Sequence, residues 1–296
     1  MAFKNYRNGN YVVYFDTETG DKIRSTRGDK FIPAFAENCD VTITNACDGG
    51  CPFCYMGCTP NGQHGKLDYP FLDSLHPYTE LAINGNDLSH PDLIPFLERM
   101  KEKQVVVNMT VNQIHFERHF ELIQDLQEKN LIHGVGVSLV AATNSFVRLL
   151  QTCKNTIVHV INGIFKQEDA IRLMGHNFDI LILGYKTTCR GKHYLNNNDT
   201  EIFKNQNWLK NNILNMFSGF KTVEFDNLAL EQLSMQEQVS NSDWDTHYMG
   251  DDGDFTFFIN LVDGYFAKNS TSSVHYPLMD SVDEMFRCIQ GEKDYV

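Results

Sequence analysis

Six short apolar runs separated by stretches of helical period dominate the middle of this chain. Val41 to Thr44, Glu80 to Ile83, Val105 to Thr110, Val135 to Leu139, Thr156 to Ile161 and Asp179 to Leu183 have the length and composition of strands. Between them the pattern predicts helices over Leu67 to Leu75, Pro91 to Lys103, Phe116 to Lys129, Asn144 to Thr152, Gln167 to Met174 and Thr200 to Phe217. Within the second of these, Leu93, Phe96, Leu97 and Met100 fall at i, i+3, i+4 and i+7, which puts all four on one face. Val105-Val106-Val107 and Ile180-Leu181-Ile182-Leu183 are continuous apolar runs, as expected of parallel strands covered by helices. A succession of βα units of this kind gives an α/β fold with a mostly parallel sheet.

The flanks read differently. Tyr11-Val12-Val13-Tyr14-Phe15 and Lys22-Ile23-Arg24, joined by the turn-rich residues 16–21, predict a β-hairpin within an N-terminal extension over 1–37. After about residue 220 the alternation stops: Val223-Glu224-Phe225 reads as one more strand. Phe255 to Leu261 and Gly264 to Ala267 read as an antiparallel pair in a small C-terminal α+β extension over 226–296. This cap is expected to pack on the βα unit over 38–225. Hydrophobic residues make up 42% and charged residues 21% of the 296, ordinary for a folded domain. The net charge of −13, with no basic run, disfavours a nucleic-acid partner. No stretch approaches the ~20 apolar residues needed to span a bilayer, and Met1 to Arg7 is not followed by an apolar signal core. A cytoplasmic location is expected, with no membrane partner. The eight cysteines are then thiols, metal ligands or catalytic groups rather than a disulfide framework. Cys39, Cys47, Cys51, Cys54 and Cys58 fall within twenty residues, while Cys153, Cys189 and Cys288 are scattered.

Cys47-Asp48-Gly49-Gly50-Cys51-Pro52-Phe53-Cys54 follows the first βα strand directly. Three thiolates on a Gly- and Pro-containing loop at a strand end can surround one metal centre, and thiolates are the usual ligands of iron–sulfur clusters. A cubane held by three of them keeps one iron open for a ligand. The rival is a structural zinc in a binding or interaction protein, with Cys39, Cys58 or His64 as fourth ligand, although such sites usually combine two separated ligand pairs.

Cys47, Cys51, Phe53 and Cys54 fit at every position the C-x3-C-x-Φ-C loop (Φ aromatic) of the radical S-adenosylmethionine superfamily, which this chain resembles over roughly residues 38 to 225. The segment from Cys54 to Gly65 further resembles a loop in bacterial and phage radical proteins of unassigned substrate. The resemblance implies a partial (β/α)6 TIM-like barrel and a [4Fe-4S] cluster on Cys47, Cys51 and Cys54. It also implies an oxygen-sensitive enzyme in which reductive cleavage of S-adenosylmethionine yields a 5′-deoxyadenosyl radical that abstracts a substrate hydrogen. An external one-electron donor of flavodoxin or ferredoxin type is implied. A peptide or protein is the favoured substrate, because the acidic surface disfavours RNA and the tail could bind a second chain. Activation of a glycyl-radical enzyme and modification of a small metabolite are the alternatives.

Ligands of such folds gather at the C-terminal ends of the strands. Where the family carries a Gly-Gly-Glu type segment for the cofactor's amino group, this chain has Asn84-Gly85-Asn86-Asp87, keeping only Gly85. The two-residue strand period places Asn108, Thr110 and Asn112 on one face. Gly134, Gly136 and Ser138 form a small face with room for a ligand, and by resemblance Ser138 meets the ribose or carboxylate. Asn162-Gly163-Ile164 resembles the adenine-contacting segment, and Phe53 belongs to the cofactor side of the motif. Lys186, Arg190, Lys192 and His193 either hold an anionic group or lie on a solvated loop, and Cys189 is a buried inert cysteine or a hydrogen-donating thiol. Cys58 is read as a spare thiol. His115 and His119, at i, i+4, lack the zincin Glu and are read as a solvated or partly buried helix face. Residues 251–254 lack a twelve-residue calcium loop and read as a turn. The hairpin from Asp252 to Ala267 resembles that of cluster-bearing C-terminal modules with the cysteines removed. The tail has only Cys288, so no second cluster is expected.

Overall fold

The computed structural model describes residues 3–291; the first two residues of the 1–37 extension and the last five of the 226–296 cap lie outside the described residues. The six apolar runs form β4 (Asn38–Thr42), β5 (Glu80–Asn86), β6 (Val106–Asn112), β7 (Gly134–Ser138), β8 (Thr156–Ile161) and β9 (Asp179–Leu183). Each pairs in parallel with the next. β10 (Thr222–Phe225) adds in parallel to β9, as the reading of Val223 to Phe225 requires. β11 (Thr256–Asn260) and β12 (Tyr265–Ala267) are the expected antiparallel pair. The sequence does not reveal that β11 returns to lie parallel to β4, on the side away from β5. With β13 (Tyr276–Pro277) on β12, the large sheet of the described residues runs β10-β9-β8-β7-β6-β5-β4-β11-β12-β13. The protein is therefore a mixed α/β structure with a large, mostly parallel sheet.

The helices differ more from expectation. No α-helix forms over Leu67 to Leu75; a 3-10 turn spans Pro70–Ser74. Pro70 holds Tyr69 extended (ψ 131°) and Pro77 follows closely, leaving too few residues to propagate an α-helix. The second crossover carries α1 (Leu93–Glu102), with Leu93, Phe96, Leu97 and Met100 buried as the spacing requires. The segment expected as one helix over Phe116 to Lys129 is two, α2 (Gln113–Arg118) and α3 (Phe120–Glu128), broken at His119 (φ −116°). His115 and His119 therefore do not share a continuous helical face. α4 (Asn144–Leu150) and α5 (Gln167–Leu173) are slightly shorter than expected. α6 (Cys189–Met216) starts eleven residues before Thr200 and is interrupted at Asn198 (φ −138°). Asn197 and Asn198 bond back to the carbonyls of His193 and Tyr194, so the polar run that reads as a helix boundary is accommodated as a kink. α7 (Asn227–Leu233), α8 (Met235–Gln238), α9 (Asn241–His247) and α10 (Val282–Gly291) complete the C-terminal part. No helix of the described residues is long and apolar enough to cross a membrane.

The pleat divides each parallel strand between two environments. Leu81 and Ile83 of β5, and Val107, Met109 and Val111 of β6, join Leu97 and Met100 of α1 in the core between sheet and helices. Ala82, Asn84 and Asn86 face the other way. The N-terminal extension is a three-stranded antiparallel sheet rather than a lone hairpin: β1 (Phe3–Asn8) pairs with β2 (Tyr11–Asp16), which pairs with β3 (Lys22–Thr26). The polar sequence of β1 gives it no strand signature. This small sheet covers the N-terminal ends of the parallel strands, where Lys22 pairs with Glu80 and Arg24 with Glu37, and where Glu18 O accepts from Asn155 Nδ2 (3.0 Å). The opposite ends of the strands are left for the cysteine loop. Leu97 is fully buried in α1, so Leu97→Ala is expected to lower unfolding free energy by roughly 2–5 kcal/mol, read as a fall in urea midpoint at unchanged slope.

Candidate functional site

The cysteine loop is anchored by the chain folding back on itself. Cys47 N donates to Thr59 O (2.9 Å), Thr59 N to Asn45 O (3.1 Å), Asn45 N to Gln63 O (2.8 Å) and Gly65 N to Ile43 O (2.8 Å). A Cβ at Gly62 would fall 1.9 Å from Asn45 O, so this return path requires glycine. Arg190, in the first turn of α6, holds the loop from the far side. Its Nε donates to Cys51 O (3.0 Å) and Nη1 to Cys58 O (2.9 Å), while Thr188 Oγ1 donates to Tyr55 O (3.0 Å). Arg190 thus braces the loop through its carbonyls. Lys192 and His193 lie exposed on α6. Cys189 is exposed, not buried, and opens the helix at φ 43°.

Cys47, Cys51 and Cys54 are half-buried and line one cavity. Gly49 N donates to Cys47 Sγ (3.4 Å) and Asn112 Nδ2 to Cys51 Sγ (3.3 Å). Cys58 beside it holds the Cys54 thiol well below its ordinary range although burial opposes this, with the backbone of Met56 and the Arg190 charge assisting. The same pairing, together with burial, pushes Cys58 upward. Burial raises Cys47 and Cys51, a penalty that a cationic centre between the sulfurs would offset. This donor set, with amide donors already aimed at two sulfurs, fits three thiolate ligands of a cluster. Among the described residues no three His, Cys, Asp or Glu side chains form a ready single-ion site. Of the fourth ligands considered for zinc, Cys39 is fully buried in the core and His64 Nδ1 bonds Thr44 Oγ1 (2.9 Å); Cys58 adjoins a motif cysteine.

The cavity measures about 670 Å³ and takes its walls from β4 through β11. The structure brings Phe53, Asn84, Asn86, Thr110, Asn112, Ser138 and Ile164 to it. Three of these are already engaged, Asn112 with Cys51 Sγ and Ile114 N and the two asparagines of β5 with the backbone. Asn84 accepts from Ile43 N (2.7 Å) and donates to Thr44 O (2.7 Å), and Asn86 donates to Thr44 O (3.0 Å) and Ala46 O (2.9 Å). They splice the end of β4 to β5 beneath the cysteine loop, leaving little capacity for a ligand. Gly85 points into the helix-side layer, where a Cβ would meet Met109, and Asp87 accepts from Ser89 outside the cavity. Asn162 is buried against Gln232 (3.1 Å), and Gly163 O accepts from Asn205 of α6 (3.0 Å). These four are not on the cavity wall. The one-residue steps of a strand end point alternately in and out, and the motif alignment does not carry that phase.

Two features escape the sequence. The room expected beside Gly136 is filled by His159 of β8, whose Cε1 would lie 2.2 Å from a Cβ there. His159 lies deep in the fold, faces the cavity, and is held down to about pKa 4 by burial. The other is a charged set on the β4, β9, β10 and β11 side. Its place inside the cavity, screened from bulk water, raises Asp40 to about 6, with Lys186 opposing and Asp252 and Asp226 adding. Burial would lower Lys186, but Tyr55, Asp226, Asp40 and Asp252 outweigh it and raise its pKa. Lys186 lies over the Tyr55 ring and donates to Ser270 Oγ (3.0 Å), while Asn227 and Asn269 donate to Asp252 (2.8 and 2.6 Å). These contacts join the two flanks of the sheet by side chains. The turn expected over residues 251–254 is present, and Asp252 serves this junction.

No protein-family model and no curated protein matches the chain. The solved structures similar to it include three of SuiB from Streptococcus suis. SuiB alone aligns with TM-score 0.58 at 11% identity over 93% of this chain and 84% of that one. SuiB bound to S-adenosylmethionine gives 0.57 at 12% over 86% and 66%, and SuiB bound to precursor peptide SuiA gives 0.55 at 12% over 86% and 65%. The chain shares the fold of SuiB. It spans about two thirds of the length of the two ligand-bound SuiB chains.

The half-buried, desolvated imidazole of His159 makes a pH prediction. A His whose folded pKa is depressed leaves the unfolded chain binding more protons between the two values, so its contribution to stability is complete above about pH 6.5 and is lost as pH falls toward 4. His159→Gln is expected to flatten the fall in Tm between pH 6.5 and 4.5. An unchanged slope would reject a desolvated neutral imidazole.

Proposed function

We propose that the chain is a radical S-adenosylmethionine enzyme acting on a peptide or protein, its catalytic unit the partial (β/α)6 barrel over 38–225, with 1–37 and 226–296 as flanking closures. The observation that carries this reading is the convergence of Cys47, Cys51 and Cys54, in C-x3-C-x-Φ-C spacing, with Thr110, Asn112 and Ser138 on one cavity wall. The shared fold with SuiB, solved with S-adenosylmethionine and with a precursor peptide, supports it.

Cys47, Cys51 and Cys54 would hold a [4Fe-4S] cluster, which when bound would supply the electron for reductive cleavage of S-adenosylmethionine and so the radical chemistry on the substrate. The chain's own residues bind, orient and exclude water. Asn112 donates to Cys51 Sγ and Gly49 N to Cys47 Sγ, fixing two ligands. Thr110 and Ser138 present hydroxyls to the cofactor, and Phe53, Ile161 and Ile164 make the dry part of the wall. Of the residues assigned to the cofactor from sequence, Asn84 and Asn86 support the cluster loop, and Gly85, Asp87, Asn162 and Gly163 support the strand ends. An external flavodoxin- or ferredoxin-type donor provides the electron. The cavity falls within the ~300–1,000 Å³ of small-ligand sites, so a large substrate enters by one side chain rather than whole.

A zinc-stabilised binding protein is the second reading, favoured by one observation: Cys58 lines the same cavity as the triplet and so offers a fourth sulfur. Anaerobic reconstitution with iron and sulfide separates the two. The enzyme reading expects about four irons per chain, a dithionite-reducible EPR signal, and loss of both in Cys47→Ala, Cys51→Ala or Cys54→Ala but retention in Cys58→Ala and Cys39→Ala. One zinc without iron, lost in Cys58→Ala together with thermal stability, would select the zinc protein.

A further inference from the structure

α2 touches the cysteine loop at three points. Asn112, which caps the helix by accepting from Ile114 N (2.9 Å), also donates to Cys51 Sγ (3.3 Å). One turn on, His115 Nε2 bonds Asp48 Oδ1, and Arg118 Nη1 donates to Asp48 Oδ2 (2.8 Å). Asp48 is the residue after the first cysteine of the triplet, and both its oxygens are taken by α2. His115 is fully buried; its Nδ1 makes no hydrogen bond, so Asp48 is the imidazole's one polar partner. The ring also packs where a side chain at Gly49 would be, 3.2 Å from the Cβ position. These bonds draw Asp48 toward α2 and lower its pKa, chiefly through Arg118 and then His115.

The same helix reaches the neighbouring strand end. Gln113, nearly fully buried, accepts from Val140 N (2.8 Å) and Ala141 N (3.0 Å) and donates to Ala141 O (3.0 Å). That loop follows Ser138. A six-residue helix of little intrinsic stability is thus held by polar bonds to two loops on the rim of one cavity.

We propose that Asp48, His115 and Arg118 are positioning residues that set the cysteine loop before any cluster is bound, and that Gln113 passes this setting to the Ser138 loop. The inference rests on the reading of Cys47, Cys51 and Cys54 as cluster ligands. With the Asp48 tether in place, the segment from Cys47 to Cys51 is preorganised, and its ordering cost does not recur when the cluster assembles. Without it the glycine pair Gly49-Gly50 is free to move, the Gly49 N–H no longer stays on Cys47 Sγ, and the open loop exposes that sulfur and sheds iron faster. Gln in place of His115 retains an amide donor near the position of Nε2, whereas Leu fills the space and donates nothing.

The test has two arms, both on the full chain. In the metal-free, reduced protein, peptide-resolved alkylation of Cys47 is followed with time. His115→Leu, which loses one hydrogen bond to the carboxylate, is expected to label Cys47 about tenfold faster than the parent, and Asp48→Ala, which loses both, at least as fast, with His115→Gln close to the parent. In the reconstituted protein, iron loss to an anaerobic chelator is expected to accelerate in the same two variants and to be rescued in His115→Gln, with broadened EPR lines in His115→Leu. Far-UV circular dichroism and Tm control for global unfolding. Unchanged Cys47 labelling in His115→Leu and Asp48→Ala, with the fold intact, overturns the tether. A parent that takes up no iron–sulfur cluster overturns the enzyme reading instead, and the alkylation arm still decides whether the loop is tethered.

Discussion

The two-residue period of the parallel strands governs everything else in this structure. Because successive side chains must point to opposite faces, each strand can serve two environments, provided its sequence keeps step. On β5 the odd residues Leu81 and Ile83 feed the helix-side core while Asn84 and Asn86 turn inward. β6 does the same with Val107, Met109 and Val111 against Thr110 and Asn112. A slip of one residue would bury the amides among the helices and expose the aliphatics, so the apolar core fixes the register of the polar wall. The site inherits its precision from hydrophobic packing on the other side of the same strands.

The wall so formed is chemically divided. From β6 to β8 its strand side chains are amides, hydroxyls and the imidazole of His159, while β5 adds the carboxylate of Glu80. From β9 through β11 and β4 it is charged, with Lys186 set among Asp40, Asp226 and Asp252. Asp226 also caps α7 by accepting from Ala229 N (2.8 Å), and accepts from Gly184 N (2.8 Å), so the charged side is tied to the backbone that follows β9 and β10. The C-terminal part completes that side by supplying Asp252 and Ser270. Its structural work is to bring β11 beside β4 and to offer polar side chains to the opposite flank of the sheet.

The cysteine loop depends on neighbours far away in sequence. Arg190 and Thr188 grip its carbonyls, Asn84 and Asn86 fasten its root, and α2 holds Asp48. Few of these bonds are to the sulfurs themselves. A loop rich in glycine has many conformations, and such bonds restrict it while leaving the thiols directed at the cavity.

The chain by itself determined the class of fold and singled out the cysteine loop as the candidate site. Apolar runs at strand length and helical spacing are local properties, and they located every one of β4 to β9; the spacing of Cys47, Cys51 and Cys54 is local too, and it marked the loop after β4. What only the tertiary structure decided was partnership. The polar β1 becomes a strand because β2 offers it hydrogen bonds, and β11 becomes a neighbour of β4 through a contact more than two hundred residues away in sequence. His115, which the sequence presents as a solvated or partly buried helix residue, is fully buried and bonded to Asp48 of the cysteine loop. Asn162 and Gly163 leave the ligand side because Gln232 and Asn205 hold them elsewhere. Periodicity is written in consecutive residues and can be read from them; a hydrogen bond between distant side chains has no signature in either segment alone, because its energy exists only once the core has brought the two together.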